Sequence, residues 1–214
     1  RVMLIHQAKA AAVGAGLPLA EPVASMVCDI GGGTTEVAVF SMGDEVAGAS
    51  IRTGGDAMDR AVAAYLHRHY SLRIGAAAAE QLRVDIGSAW PLAEETSREI
   101  RGIDTVGGLP RAATITSEEV RHALADPLET ILDAIKATLD HVSPELAADL
   151  VDHGMTLCGG GALLGGLDRY LTEQTGLPVR VAEGARQAVV RGALVCLEHL
   201  DRWRAVLDSG DDEV

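Results

Sequence analysis

Residues 29–35 read Asp-Ile-Gly-Gly-Gly-Thr-Thr and lie between two apolar, β-branched runs. A hairpin turn needs one or two glycines where φ is positive. Three in succession leave several backbone N–H groups unscreened by any Cβ, and such a loop can close around phosphate oxygens as an anion nest. Thr34 and Thr35 add hydroxyls just beyond Gly31, Gly32 and Gly33. Asp29, at the end of the first run, stands where a carboxylate could hold Mg²⁺ through water, because magnesium keeps part of its hydration shell. The alternative is a flexible hairpin with a solvent-facing aspartate.

The pattern recurs at Cys158-Gly159-Gly160-Gly161-Ala162, again at a strand end and here expected to open a helix. Glycines ahead of a helix N-terminus favour a phosphate or a close-packed nucleotide; tight strand-to-helix packing is the alternative. Neither stretch is a GxxxxGK[ST] loop. Two glycine-rich turns at separate strand ends of one sheet point to nucleotide binding more strongly together than apart. Glu80 and Arg83 lie one helical turn apart. Such a pair is either a solvated i,i+3 contact worth roughly 0.2–0.5 kcal/mol or a clamp for ribose and base. His6, His69, His122, His141 and His153 show no metal-ligand spacing, and Ser25 and Ser41 lack a GxSxG context.

These loops require strands to hold them. An Ala-rich helix over 8–16 stops at Gly14 and Gly16, with Pro18 beyond. Strands follow over 24–30, 34–42 and 45–52, the last two joined by a turn at Gly43-Asp44. A helix over 54–70 carries Met58, Val62, Tyr65 and His69 on or near one face. Residues 72–153 read as a smaller lobe. It holds a helix over 76–88, strands near 98–104 and 110–115, and a long helix opened by a Thr116/Glu119 capping box. Asp126-Pro127 should kink or break that helix, and Ser143-Pro144 starts another. Strand–helix alternation then resumes, with strands at 154–158 and 179–183, and helices to about 175 and over 185–200. The order β-β-β-α, insertion, β-α-β-α gives an α/β fold whose mixed sheet is flanked by helices. Residues 201–214 form an acidic tail.

Composition bounds the rest. The chain of 214 residues is 48% hydrophobic but only 3% aromatic, so its core must be aliphatic. With 31 acidic against 18 basic residues, the formal charge is −13, which argues against a nucleic-acid partner. Cys28, Cys158 and Cys196 are widely spaced, odd in number and set among apolar residues, as reduced structural thiols are. No apolar run is long enough for a spanning helix. The chain opens at Arg1 and runs within a few residues into Ala-Lys-Ala-Ala-Ala-Val-Gly-Ala-Gly-Leu-Pro, as the middle of a domain would. The expectation is a piece of a longer protein.

Five segments, CDIGGGTTEVAVF, IRTGGDAMDRAV, AEQLRVDIGSAWPL, GLPRAATITSEEV and ELAADLVDHGMTLCGGGALLGGL, resemble successive segments of the MreB and Mbl family of bacterial actin homologues. The resemblance runs from about Leu4 to Leu197. The 70-kDa heat-shock chaperones, FtsA and the sugar kinases share the glycine hairpins but not GSAWPL or GLPRAATIT. It implies an actin-like fold of two related domains closing on ATP and Mg²⁺, of which this chain matches the second. Residues 1–23 end the domain-connecting segment, 24–71 and 154–200 form an RNase H-like core, and 72–153 an inserted subdomain.

By the same resemblance, Asp29 matches the magnesium-associated aspartate and Gly31 to Thr34 the second phosphate hairpin. Glu80 and Arg83 match a Glu-x-x-Lys pair that contacts the nucleoside, and Gly159 to Gly161 the adenosine motif. The family's Glu-Pro-Met, whose glutamate positions the attacking water, is replaced by Gln7, Ala8 and Lys9. Glutamine can hydrogen-bond a water but cannot take its proton. The implied role is an ATP-binding filament subunit that assembles head to tail, with itself or with a full-length homologue, and shapes the cell by guiding wall synthesis. Hydrolysis, by water near Gln7 and Thr34, would be slowed or lost. A RodZ-like membrane anchor is the further partner. The location is cytoplasmic, and membrane association comes only through filaments and a first domain. The competing reading is an interaction module without turnover.

Overall fold

The computed structural model describes residues 3–203 and 208–209. Its centre is a five-stranded sheet built from β2 (Ser25–Ile30), β3 (Thr35–Ser41), β4 (Asp44–Ile51), β8 (Met155–Cys158) and β9 (Val179–Val181), in the order β4-β3-β2-β8-β9. β2 pairs antiparallel with β3, as Ser25 with Phe40 and Asp29 with Glu36, and parallel with β8, as Met26 with Met155. The sheet is therefore mixed, as the element order required. β2 and β8 are buried along their whole length, the pattern of central strands covered on both faces. The β3–β4 turn lies at Met42-Gly43, both with positive φ, one residue earlier than the sequence indicated. A methionine in that region is unusual, which is why Gly43-Asp44 looked the better turn.

Helices cover the two faces unequally. On one lie α1 (Gln7–Gly14) and α8 (Ala188–Glu198), sealing Val27, Ala38, Phe40 and Cys158 with small side chains. The two helices cross so closely that a Cβ on Gly14 would stand 1.8 Å from the Ala188 carbonyl oxygen. The other face carries α2 (Gly55–Tyr70), α5 (Ala125–Leu139), α6 (Pro144–His153) and α7 (Leu167–Thr175). Met58, Val62 and Leu66 of α2, spaced by one turn each, are buried there. Tyr65 and His69 flank that stripe with stacked rings.

A second, three-stranded antiparallel sheet orders β5 (Leu72–Arg73), β6 (Ser97–Asp104) and β7 (Pro110–Thr116). α3 (Ala76–Ile86) and α4 (Ser117–Ala123) join it to the main core through Leu82 and Val120, beside Ile115 of β7 itself. The capping box forms: Thr116 and Glu119 exchange side-chain and backbone hydrogen bonds. Pro127 would collide with the carbonyl of Ala123, four residues back, and α4 stops there before α5 restarts the helix. Within the range read as the lobe, α5 packs on β3 and β4, and Asp149 of α6 accepts the Ala24 N–H at the start of β2. Both helices thus lie on the five-stranded sheet.

α9 (Leu200–Trp203) follows α8, and β1 (Met3–Leu4) pairs with β10 (Asp208–Ser209). The rest of the expected acidic tail lies outside the described residues. All three cysteines are free and buried. Among the described residues no helix is long and apolar enough to cross a membrane.

Candidate functional site

The first glycine turn joins β2 to β3 at the end of the sheet. Gly31 N–H donates to the Thr34 carbonyl at 2.9 Å and closes it. None of Gly31, Gly32 or Gly33 has positive φ, so the backbone path does not itself demand glycine. Two of the carbonyls face the start of α2: Gly31 accepts from Gly55 N–H at 2.9 Å and Gly32 from Asp56 N–H at 2.8 Å. Gly54 allows this docking, because a Cβ there would stand 2.6 Å from the Gly31 oxygen. Among the described residues the N–H groups of Gly32 and Gly33 meet no protein acceptor.

The second turn differs. Gly159 has φ +83°, and a Cβ on it would lie 2.2 Å from the Ile30 oxygen and 2.7 Å from Asp29 Oδ1. Gly161 would bring its Cβ within 2.3 Å of Ile30 Cγ2. Gly159 N–H donates to the Ala185 carbonyl at 2.9 Å. The helix expected directly behind these glycines is absent. A short 3₁₀ turn, Gly161–Leu163, follows instead, and α7 begins only at Leu167. Gly165 and Gly166 separate the two. The Gly165 carbonyl accepts the Ala89 N–H, and Gly166, at φ +69°, lies against Trp90.

α3 adds a further wall. Arg83 is only 9% exposed, and its guanidinium does not pair with Glu80. It reaches across to α2, with Nε 2.6 Å from Asp59 Oδ1 and a second nitrogen 3.4 Å from Oδ2. Glu80 is exposed. Between these walls lies a cavity of about 340 Å³, which brings together Gly31, Gly32, Glu80, Arg83, Gly160 and Gly161 from separate stretches of sequence. Asp56, Asp59 and Arg186 also line it, and sequence reasoning had passed over all three. Asp59 had a readable signal, one turn beyond Asp56 at the start of a helix behind Gly54-Gly55. Arg186 had none.

The other expected residues lie around the cavity and not on its wall. Thr34 is half-buried; Thr35 is fully buried, and its hydroxyl donates to the Thr53 carbonyl at 2.7 Å. Gly33 is exposed beyond the rim. Asp29 is 2% exposed beneath both glycine loops, and Gln7 Nε2 donates to its Oδ2 at 2.7 Å. An ionised carboxylate only accepts, so the Gln7 amide nitrogen must face it and the amide oxygen is left to accept from elsewhere. Burial pushes the Asp29 carboxyl above its ordinary range, and the Gln7 hydrogen bond opposes this only in part. The neighbouring Cys158 thiol is pushed up to about 12, first by burial and then by Asp29, and is inert as a nucleophile. Among the described residues no three His, Cys, Asp or Glu side chains converge as a metal cage.

Comparison with known proteins fits this architecture. The sequence profile described as MreB/Mbl protein matches residues 1–205. The cell shape-determining protein MreB of Escherichia coli (strain K12) is 48% identical over 94% of this chain. The cell shape-determining protein Mbl of Bacillus subtilis (strain 168) is 43% identical over the same share. The chain spans 58% and 60% of the lengths of those two proteins. The crystal structure of MreB5 of Spiroplasma citri bound to ADP superposes with a TM-score of 0.90 at 36% identity, covering 94% of this chain and 61% of that one. A second structure of MreB5, bound to AMPPNP, gives the same score. A MamK double helical filament, at 22% identity and a TM-score of 0.74, shares the actin-like fold. With the profile matching nearly every residue and the sheet, loops and relatives in agreement, this chain belongs to the MreB/Mbl family.

Proposed function

We propose that this chain is the second, nucleotide-binding domain of a bacterial actin-like filament subunit, one that binds ATP with Mg²⁺ and serves cell shape by guiding wall synthesis. The observation that carries the reading is the cavity itself. Free N–H groups of a glycine hairpin, a second glycine loop and the α3 wall enclose about 340 Å³ in a chain 36% identical to a protein solved with ADP and with AMPPNP. In this reading Gly31 to Thr34 hold phosphates, Gly160 and Gly161 border the nucleoside, and Glu80 and Arg83 form its wall. Gly159 keeps the loop against Asp29 and Ile30. Thr35 acts from behind, fixing the hairpin to Thr53. The domain division proposed is a core over 24–71 and 154–200 with an insertion over 72–153 between them, whose last two helices, α5 and α6, lie on the core's sheet.

Mg²⁺, when bound, would neutralise the phosphates. The donor set fits an ion that keeps its waters: one buried carboxylate, Asp29, with no cage of acids converging beside it among the described residues. Gln7 would orient a water through its free amide oxygen, but it cannot accept the proton, so turnover by this chain is slow or absent. Assembly would be head to tail, a heterologous contact that builds open filaments. A full-length homologue or a RodZ-like membrane anchor would be the other partners. Gln7 favours one second reading, a domain that binds filament or anchor without turnover.

The test is thermal unfolding with ATP and Mg²⁺. A ligand at a hundred times its Kd adds about 2.7 kcal/mol of stability. The expected result is a clear rise in Tm that Asp29→Ala and Gly32→Val abolish, with phosphate release near the blank. No shift at millimolar ATP sinks nucleotide binding. Rapid release would overturn the role given to Gln7.

A further inference from the structure

Two arginines line the cavity, and they are held in opposite ways. Arg83 is buried, with its charge matched by Asp59. Arg186 is exposed, and among the described residues no carboxylate pairs with it. Its backbone is nonetheless fixed. The Ala185 carbonyl accepts Gly159 N–H, Gln187 N–H donates to the Gly184 carbonyl at 2.8 Å, and Ala185 and Ala188 on either side are buried. The side chain leans over the second glycine loop, with Nε 3.8 Å from where a Cβ of Gly160 would stand. A guanidinium anchored at its root and free at its tip can offer charge to a phosphate or its flat face to a π system.

The surroundings favour the second. The free N–H groups suited to phosphate belong to the other loop, at Gly32 and Gly33. The loop under Arg186 leads instead into the cavity's uncovered apolar surface. Leu163, two residues beyond Gly161, is 55% exposed, and Val84, across on α3, is 59% exposed. Large apolar side chains left open on the cavity wall suit a nucleobase and offer nothing to a phosphate.

We infer that Arg186 is a specificity-determining residue that lays its guanidinium on the face of a bound nucleobase, while Leu163 and Val84 supply apolar contact. The inference rests on the nucleotide-binding reading above. Stacking grows with ring area, so Arg186 favours purines over pyrimidines.

The experiment measures binding of ATP, CTP and inorganic tripolyphosphate to the intact chain and to its Arg186→Leu and Arg186→Lys variants. The side chain is exposed, so all three should share one Tm. Arg186→Leu is expected to weaken ATP by about tenfold, to narrow its preference over CTP, and to leave tripolyphosphate unchanged. Arg186→Lys, which keeps the charge but not the plane, falls between. Equal weakening of ATP and tripolyphosphate would place Arg186 on the phosphates and overturn the inference, as would no change in either. If the unaltered chain binds neither ATP nor CTP, the nucleotide reading itself falls and takes this one with it.

Discussion

The loop at Gly31–Gly33 has no residue with positive φ. A Cβ added at Gly32 would approach only the Asp56 carboxylate, at 3.6 Å, and one at Gly33 would meet nothing within 4 Å. At Gly159–Gly161 the first residue is left-handed, and added Cβ atoms would press on Ile30 at 2.2 and 2.3 Å. Both loops are spelled as three glycines at the end of a buried strand. In the first, glycine keeps backbone N–H groups accessible; in the second, it lets two strand ends approach. The two alternatives weighed for each loop from sequence therefore divide between them. Access accounts for the hairpin, and packing accounts for Gly159 and Gly161.

The largest effect that could break this division is at Gly159. Alanine there must adopt a left-handed conformation and push the Ile30 carbonyl away. Strain and overpacking together cost about 3 kcal/mol or more. For a chain of this size that is a fall in Tm of roughly 6–12 °C, measurable by calorimetry or circular dichroism. A Gly159→Ala variant as stable as the parent would mean that the second loop, like the first, is glycine for access.

The complementary variant, Gly32→Ala, should leave Tm within about 2 °C, since no strain and no clash arise. Its methyl group would nevertheless point toward Asp56 on the cavity wall, beside the free N–H groups. Affinity for ATP should fall by about tenfold or more, because hydrogen bonds to a charged group are worth about 1.5–3 kcal/mol. A lowered Tm with intact affinity would reverse the assignment of the two loops.

How far the sequence disclosed this depends on the range of each interaction. The Thr116/Glu119 capping box, the break ahead of Pro127 and the start at Ser143-Pro144 are set by residues within one turn, and all three occur where local chemistry put them. The mixed character of the sheet follows from the element order, whereas the strand order β4-β3-β2-β8-β9 emerged only from the structure. Arg83 illustrates the limit. Three residues away Glu80 was the visible partner, yet the guanidinium chose Asp59, 24 positions back, because folding packs α3 on α2. Arg186 carried no signal, since its place on the cavity wall comes from the turn in which the neighbouring Ala185 carbonyl accepts the Gly159 N–H. The missing helix behind Gly161 has a similar origin: Gly165 is claimed by Ala89, a pairing with no trace in local spacing.

The smallest expected effect is at Asp29, where the two loops meet. Its carboxyl ends the strand that carries the hairpin, and its Oδ1 stands 2.7 Å from the position a Cβ on Gly159 would take. Burial raises its pKa from the ordinary 3.8, so the folded state holds this proton more tightly than the unfolded chain does. Stability from this group is therefore complete below 3.8 and is lost as pH rises through the folded value; near pH 7 the ionised carboxylate burdens the fold. An asparagine side chain at this position would keep the shape and still accept the Gln7 N–H. Asp29→Asn should then raise Tm near pH 7, with a gain that shrinks as pH falls and vanishes near the ordinary 3.8, while the stabilisation by ATP and Mg²⁺ disappears. A gain of equal size at both pH values would trace it to packing. A loss near pH 7 would mean that the fold itself depends on the carboxylate, and that Asp29 belongs with the packing loop and not with the ligand.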